Sequence, residues 1–282
     1  MPKTIGNPLS WTVGALGHAA GYASVVVAPA REHAPPVTRR LTMADLRTAL
    51  RKGWEDLSAM RSDVMFACML YPLMGAVLLA LAAQGSMTHL LFPVLSGFAL
   101  VGPVAGLGLY ELSRRREVGL EVGWASMFDV LRSPRFPRIV MLALFNGVIF
   151  MAWLLIADAI HTVTLGSDRV LSLGALLSEA VSTPAGWVMI LVGSGIGFLL
   201  AAAVLAVSVV SFPLLLDRDV SLPVAVTTSV RVARDNPRVI AAWGLVVAGG
   251  LALGILPFLV GLIVVLPVLG HATWHLYRAA VA

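Results

Sequence analysis

The chain of 282 residues is poor in charged residues and has only one cysteine. Asp, Glu, Lys and Arg together make up 12% of it, whereas about 25% is usual in soluble domains, which argues against a water-soluble globular protein. The single Cys68 excludes an intrachain disulfide. The sequence also lacks a Cys-x-x-Cys motif, a recognisable nucleophile motif and a pair of catalytic carboxylates, which favours a protein without catalytic machinery.

Hydrophobic residues make up 59% of the chain, and the mean hydropathy is +0.89. Several apolar stretches reach the ~20 residues that a helix needs to cross a bilayer. We therefore predict an all-α, polytopic membrane helix bundle with about six transmembrane helices, joined on the cytoplasmic side by amphipathic interfacial helices. The predicted spans are residues 64–83, 90–110, 139–159, 187–216, 239–254 and 257–273.

A charged, amphipathic stretch precedes each pair of spans. The stretch ending at Arg138 is echoed one hundred residues later by the stretch ending at Arg238, and in both copies proline precedes the arginine. We interpret residues 1–41 as a cytoplasmic tail and residues 42–282 as the membrane domain. The domain divides into belt-plus-hairpin units at about 42–112, 113–216 and 217–282.

Basic residues set the predicted orientation. With six spans and both termini in the cytoplasm, every Lys and Arg except Arg169 falls on the cytoplasmic side, as the positive-inside rule requires. The net charge of +5 could also suggest nucleic acid as a partner. We exclude it because the basic residues flank apolar spans and no solvated basic domain is present to bind it.

The first amphipathic helix is predicted to begin at Thr42, where Thr42 and Asp45 form a capping signal. Leu46, Leu50, Trp54 and Leu57 recur at helical spacing and define its apolar face, which leaves Asp56 among the charged residues of the opposite face. Aromatic and cationic side chains near span ends are typical of headgroup depth. The predicted interfacial anchors are Trp54, Trp124, Trp274, Arg114, Arg115, Arg116 and Arg278.

Two histidines near the C-terminal end of the last predicted span form the one candidate metal site. His271 and His275 are four residues apart, so both imidazoles share one helical face, and Glu111 lies at the same predicted depth. The alternative is that these groups anchor the helix end, with Glu111 paired to an arginine. No other cofactor is predicted. A b-type haem is disfavoured, because its axial ligands must approach the iron from opposite faces.

Four groups of residues resemble a known family, the bacterial integral membrane proteins described as domain of unknown function 2189. The residues are Asp45-Leu46 with Ala49-Leu50 and Gly53-Trp54; Gly108-Leu109-Tyr110-Glu111 with Ser113-Arg114-Arg115; Ser211-Phe212-Pro213 with Asp217-Arg218; and Gly270-His271 with Trp274-His275 and Tyr277-Arg278. The resemblance extends from about residue 6 to the end of the chain. It implies a bacterial inner-membrane protein, and it implies no activity, cofactor or site.

Three function hypotheses follow from these patterns. The first is a scaffold or accessory subunit that packs against a larger membrane complex, respiratory or photosynthetic, since the spans are rich in Gly, Ala, Leu and Val and carry few ionisable groups. The second is a small transporter or lipid-handling protein. The third is a metal-binding membrane enzyme or sensor centred on His271, His275 and Glu111. The predicted partners are the lipid bilayer and another membrane protein.

Overall fold

The computed structural model describes residues 36–83, 88–166 and 172–282. The predicted tail therefore lies almost wholly outside the described residues, as does Arg169. Within them the chain is helical, and the only bridge of β type joins Thr38 to Val281. The helices are α1 (Met43–Cys68), α2 (Leu70–Ala83), α3 (Leu91–Ala105), α4 (Leu107–Glu117), α5 (Phe136–Leu165), α6 (Leu173–Ser182), α7 (Pro184–Ser208), α8 (Ser211–Asp217), α9 (Leu222–Asp235), α10 (Pro237–Ile255) and α11 (Leu262–Ala280), with 3-10 segments at Thr88–Leu90 and Trp124–Arg132.

Among the described residues, three helical stretches are long and apolar enough to cross a membrane: α5, the combined α7 and α8 (Pro184–Asp217), and α10. A fourth arises if Thr88–Gly97 and Ala99–Ala105, which meet at 46°, are counted as one bent span. The helical membrane bundle is thus confirmed as the fold class. The predicted count of six spans stays a prediction. Pro103 lies inside α3, where it removes a backbone hydrogen bond.

One end of the spanning helices carries the arginines. Arg138, in the first turn of α5, donates to Asp219 Oδ1 at 2.5 Å and to the Val220 carbonyl, just after α8 ends. Arg135 donates to the Leu216 carbonyl. These bonds bring the start of α5 to the level of the end of α8, and α9 then leads into the start of α10. The opposite end of α5 carries a different set of groups, in which His89 bonds to Asp158 at 2.8 Å.

Helices α5 and α7 are joined inside the apolar part of the bundle. The Asn146 amide donates to the Ser208 hydroxyl at 3.1 Å, and both side chains are buried. Unpaired polar groups are costly in an apolar interior, so this bond fixes the two helices in register. Trp153 on the same helix donates its indole N–H to the Pro93 carbonyl and thereby ties α5 to α3.

Helix α1 packs closely against α11, and its buried face overlaps the predicted apolar face in part, since Leu46 and Leu57 are both buried. The face that enters the core runs through Leu46, Ala49, Gly53 and Asp56, whereas Trp54 is 56% exposed. A methyl group on Gly53 would lie 2.7 Å from the backbone nitrogen of Ala272, so no larger residue fits there without a shift. Small residues at i and i+4 permit this close approach. The placement of Asp56 on the charged outer face was therefore wrong.

Candidate functional site

A buried polar cluster joins α1, α4 and α11. Asp56 is 5% exposed, and its two carboxylate oxygens accept hydrogen bonds from three side chains. Ser113 donates to Oδ2 at 2.6 Å, His275 Nε2 bonds to the same oxygen at 2.8 Å, and Arg116 pairs with Oδ1. On its other side, the Ser113 hydroxyl meets His271 Nδ1 at 2.7 Å. One carboxylate thus links three helices that lie far apart in the sequence.

Local sequence explains why these groups meet. Helix α1 begins with a capping interaction, in which the Thr42 N–H and hydroxyl donate to Asp45 Oδ2 at 2.7 and 2.6 Å. That bond confirms the predicted start of the helix and fixes its first turn. Gly53 then lets α11 approach, and Gly270 does the same between α11 and α4, since a methyl group there would lie 2.5 Å from a Leu109 methyl. Without these glycines the polar side chains would be held too far apart to bond.

The charge of Asp56 depends on its donors. Burial by itself would raise the pKa of the Asp56 carboxyl, but the hydrogen bonds from His275 and Ser113, together with the positive charge that His271 and His275 can carry, outweigh burial and lower it. The carboxyl is therefore ionised at neutral pH. Because the single Ser113 hydroxyl proton then points at Asp56, we infer that His271 Nδ1 carries hydrogen and donates to Ser113. Nε2 of the buried His271 has no hydrogen-bond partner among the described residues.

A second polar layer surrounds the end of α11. Glu117 accepts from the Trp274 indole at 2.9 Å and from Arg278 Nε at 3.0 Å. Arg278 also reaches Asp217 at 3.4 Å, and the Tyr277 hydroxyl donates to the same carboxylate at 2.6 Å. Burial and the neighbouring Asp217 raise the pKa of Tyr277, so its hydroxyl keeps its proton and remains a donor. The layer attaches α11 to α4 and α8.

Glu111, the proposed third metal ligand, is engaged elsewhere. Its carboxylate accepts from Arg114 at 2.8 and 2.7 Å and from Arg115 at 3.1 Å, and Arg115 also pairs with Asp129 at 2.8 Å. The acid that meets both histidines is Asp56, which sequence reasoning did not single out. Among the described residues, no group of three or more His, Cys, Asp or Glu side chains has the arrangement of a metal site. Ligation by His271, His275 and Glu111 stays a prediction that the geometry does not favour.

The predicted anchors separate into two groups. Trp54 and Trp124 are 56% and 49% exposed, so both can reach the headgroup layer. Trp274 is 1% exposed and its indole bonds to Glu117, so it packs inside the protein, and its role as an interfacial anchor stays a prediction. The arginines predicted as anchors instead form ion pairs within the polar end of the bundle, namely Arg114 and Arg115 with Glu111, Arg116 with Asp56, and Arg278 with Glu117.

A cavity of about 510 Å³ opens beside the buried cluster, between α1, α4 and α11. Its volume lies within the range of small-molecule sites, ~300–1,000 Å³. Asp56, Ser113 and His275 form part of its wall, so the buried cluster borders this space. The full lining comprises Asp45, Thr48, Ala49, Lys52, Glu55, Asp56, Ser113, Arg116, Glu117, His275, Arg278 and Ala279.

Comparison with known proteins supports the membrane assignment. No curated protein and no solved structure gives a significant match to the chain. The family model described as "Predicted integral membrane protein (DUF2189)" matches residues 91–217, which include the six helices α3 to α8. The match covers a shorter part of the chain than the resemblance seen in the sequence, and it leaves out α1 and α11. The resemblance to this family of predicted integral membrane proteins is confirmed over residues 91–217.

Proposed function

We propose that the protein is a non-catalytic scaffold or accessory subunit of a larger complex, respiratory or photosynthetic, in a bacterial cytoplasmic membrane. The arginine-bearing end of the bundle faces the cytoplasm in this proposal, together with both termini. The supporting observation is the contrast between the two parts of the molecule. The polar end is bound together by internal hydrogen bonds, whereas the spanning helices leave wide apolar faces unburied.

Helix α5 shows this contrast best. Leu144, Val148, Met151 and Leu155 lie at helical spacing on one face and are 56–68% exposed. Only 22% of the most apolar 18-residue window of α5 is buried within the protein. On α7, Phe198 is 71% exposed. In a bilayer such faces contact either lipid or the helices of another protein, and van der Waals packing drives the second kind of contact.

Site-specific photo-crosslinking distinguishes lipid from protein at these faces. A photoreactive residue in place of Val148 or Phe198, irradiated in native membranes, is expected to give a discrete protein adduct that mass spectrometry identifies. The matched control replaces Arg47, which is exposed at the polar end of α1. Adducts with lipid alone at both span positions, together with a monodisperse lone protein after extraction in mild detergent, would refute the accessory role.

The proposed orientation has its own test. Cys68 is the only cysteine and is buried, so a new surface thiol can be labelled against a low background. The variant Arg234→Cys is expected to react with a membrane-impermeant maleimide only from the cytoplasmic side. The variant Asp158→Cys, at the other end of α5, is expected to react from the periplasmic side. The opposite result for both variants would invert the topology.

The cavity favours a second candidate function, that of a ligand-binding membrane protein such as a sensor. The observation is specific, because ionisable groups from three helices border one open space. Elemental analysis of the purified protein beside its His271→Ala variant tests whether the ligand is a metal ion. A stoichiometric metal that the variant loses would support the metal-binding alternative.

A further inference from the structure

Asp56 and Glu117 are the two carboxylates of the cavity wall that pair with arginines of the same wall, and both oxygens of each already accept a hydrogen bond. Both Asp56 oxygens are occupied by Arg116, Ser113 and His275. Glu117 is in the same state, since Oε1 accepts from Arg278 and Oε2 from Trp274. The charge of each acid is therefore balanced by an arginine of the same wall, which weakens its attraction for a cationic ligand.

The polar groups of the cavity wall that have hydrogen-bonding capacity left are mostly hydrogen-bond donors. Lys52 lines the cavity, is exposed and makes no hydrogen bond or ion pair with any described residue. Arg116 bonds to Asp56 through Nη1, and Arg278 uses Nε and Nη1, so each guanidinium retains further N–H groups. Thr48 adds an exposed hydroxyl at the same wall. The uncommitted side of the cavity is thus arranged to donate hydrogen bonds to an acceptor.

We propose that this cavity binds a phosphoryl group, carried by a small organic phosphate or by a phospholipid headgroup, with Lys52, Arg116 and Arg278 as its donors. The inference deepens the second candidate function, ligand binding, and does not depend on the accessory role. Guanidinium groups and lysine ammonium groups are the usual partners of phosphate oxygens in proteins. The volume of about 510 Å³ exceeds what inorganic phosphate needs and leaves room for an organic part.

Each acid of the cavity lining already accepts a hydrogen bond within the protein. Three cationic and four acidic side chains line the cavity, but Asp56 and Glu117 are paired with the very arginines that would contact the ligand. The remaining acids, Asp45 and Glu55, each use one oxygen within the protein, on Thr42 and Arg51 respectively. Their second oxygens can accept from hydroxyl or amino groups on the organic part of the ligand. The ammonium group of Lys52, which pairs with no described residue, would repel a metal cation at this wall.

Titration of the full-length protein in a neutral detergent tests the proposal. Isothermal calorimetry with glycerol phosphate is expected to show saturable binding. A second arm incorporates the protein into phosphatidylcholine nanodiscs with and without phosphatidylglycerol, and native mass spectrometry counts the retained anionic lipid. Binding in the first arm identifies a soluble phosphate as the source, and binding only in the second identifies the lipid headgroup. An absence of binding in both arms overturns the proposal.

Lys52→Gln is the decisive variant, because Lys52 makes no hydrogen bond or ion pair with any described residue and the substitution leaves the buried cluster intact. We expect it to weaken phosphoryl binding at least tenfold while the thermal midpoint without ligand is unchanged. Arg47→Gln is the matched control, since Arg47 is exposed on the same helix and lies outside the cavity lining. It should bind within twofold of the unmodified protein. Equal losses in the two variants would show that binding reflects surface charge in general and would overturn the site.

Discussion

Replacement of Asp56 by alanine should be among the most destabilising changes in the polar end of the bundle. The substitution removes the shared acceptor of Ser113, His275 and Arg116. Loss of one partner of a buried ion pair costs about 3–5 kcal/mol, because the other charge is left without compensation. Two features reduce that cost here. The Arg116 side chain is 41% exposed and can be hydrated, and Ser113 keeps the hydrogen bond that it accepts from His271.

We therefore expect Asp56→Ala to lower the free energy of unfolding by about 2–4 kcal/mol. The matched control is the adjacent acid. Glu55 forms an exposed i,i+4 pair with Arg51, so Glu55→Ala should cost less than about 0.5 kcal/mol. Unfolding of both variants in detergent micelles, followed by tryptophan fluorescence at a fixed pH and ionic strength, provides the comparison. Equal losses would show that Asp56 does not hold the three helices together.

Three further outcomes are expected. Gly53→Ala should lower the free energy of unfolding by about 1–3 kcal/mol, because the new methyl group meets the backbone of α11 and this outweighs the better helix propensity of alanine. Gly147→Ala is the control and should be neutral or slightly stabilising, since its methyl group would meet nothing within 4 Å. Thermal unfolding of the two variants distinguishes them. The pKa of Asp56 in the folded protein lies below its value in the unfolded chain, so its contribution to stability is complete above about pH 5 and is lost as the pH falls through the folded pKa. Asp56→Asn should therefore lose less stability than the unmodified protein when the pH is lowered over this range. Trp274→Phe should lower the free energy of unfolding by about 1 kcal/mol, because it removes the hydrogen bond to Glu117. Trp54→Phe is the control in parallel thermal unfolding, and an equal loss in the two variants would contradict this reasoning.

Hydropathy was a sufficient guide to the apolar half of the molecule. The spans predicted at residues 139–159, 187–216 and 239–254 fall within α5, α7–α8 and α10, because a long apolar run in a bilayer must be helical to satisfy its own backbone. The capping signal at Thr42 was read correctly for a similar reason, since it is local. Ser221 precedes α9, but its side chain makes no capping bond there.

Hydropathy could not reveal the buried polar cluster, because the sequence feature that indicates it is the small size of residues on one face of α1. Hydrophobic spacing placed Asp56 opposite the apolar face of α1, yet the structure buries Asp56 together with Ala49 and Gly53. The spacing of Ala49 and Gly53 was a sign of close helix packing, and an acid three residues after Gly53 lies on the same face. The hydrogen-bond partners of Asp56 could not be predicted from sequence spacing, since His275 follows it by 219 residues. Only the folded chain brings them together.

The pairing of α1 with α11 has a consequence for biogenesis. Helix α1 leaves the ribosome early, whereas the two histidines of α11 that complete the buried polar cluster are among the last residues to be synthesised. Until α11 arrives, Asp56 has to stay hydrated, so α1 must wait at the water-facing edge of the bilayer while the intervening spans are inserted. In a nascent chain arrested before Leu262, α1 should therefore remain accessible to proteases or chaperones. Once α11 is released and packs against α1, this accessibility should be lost in a single late step.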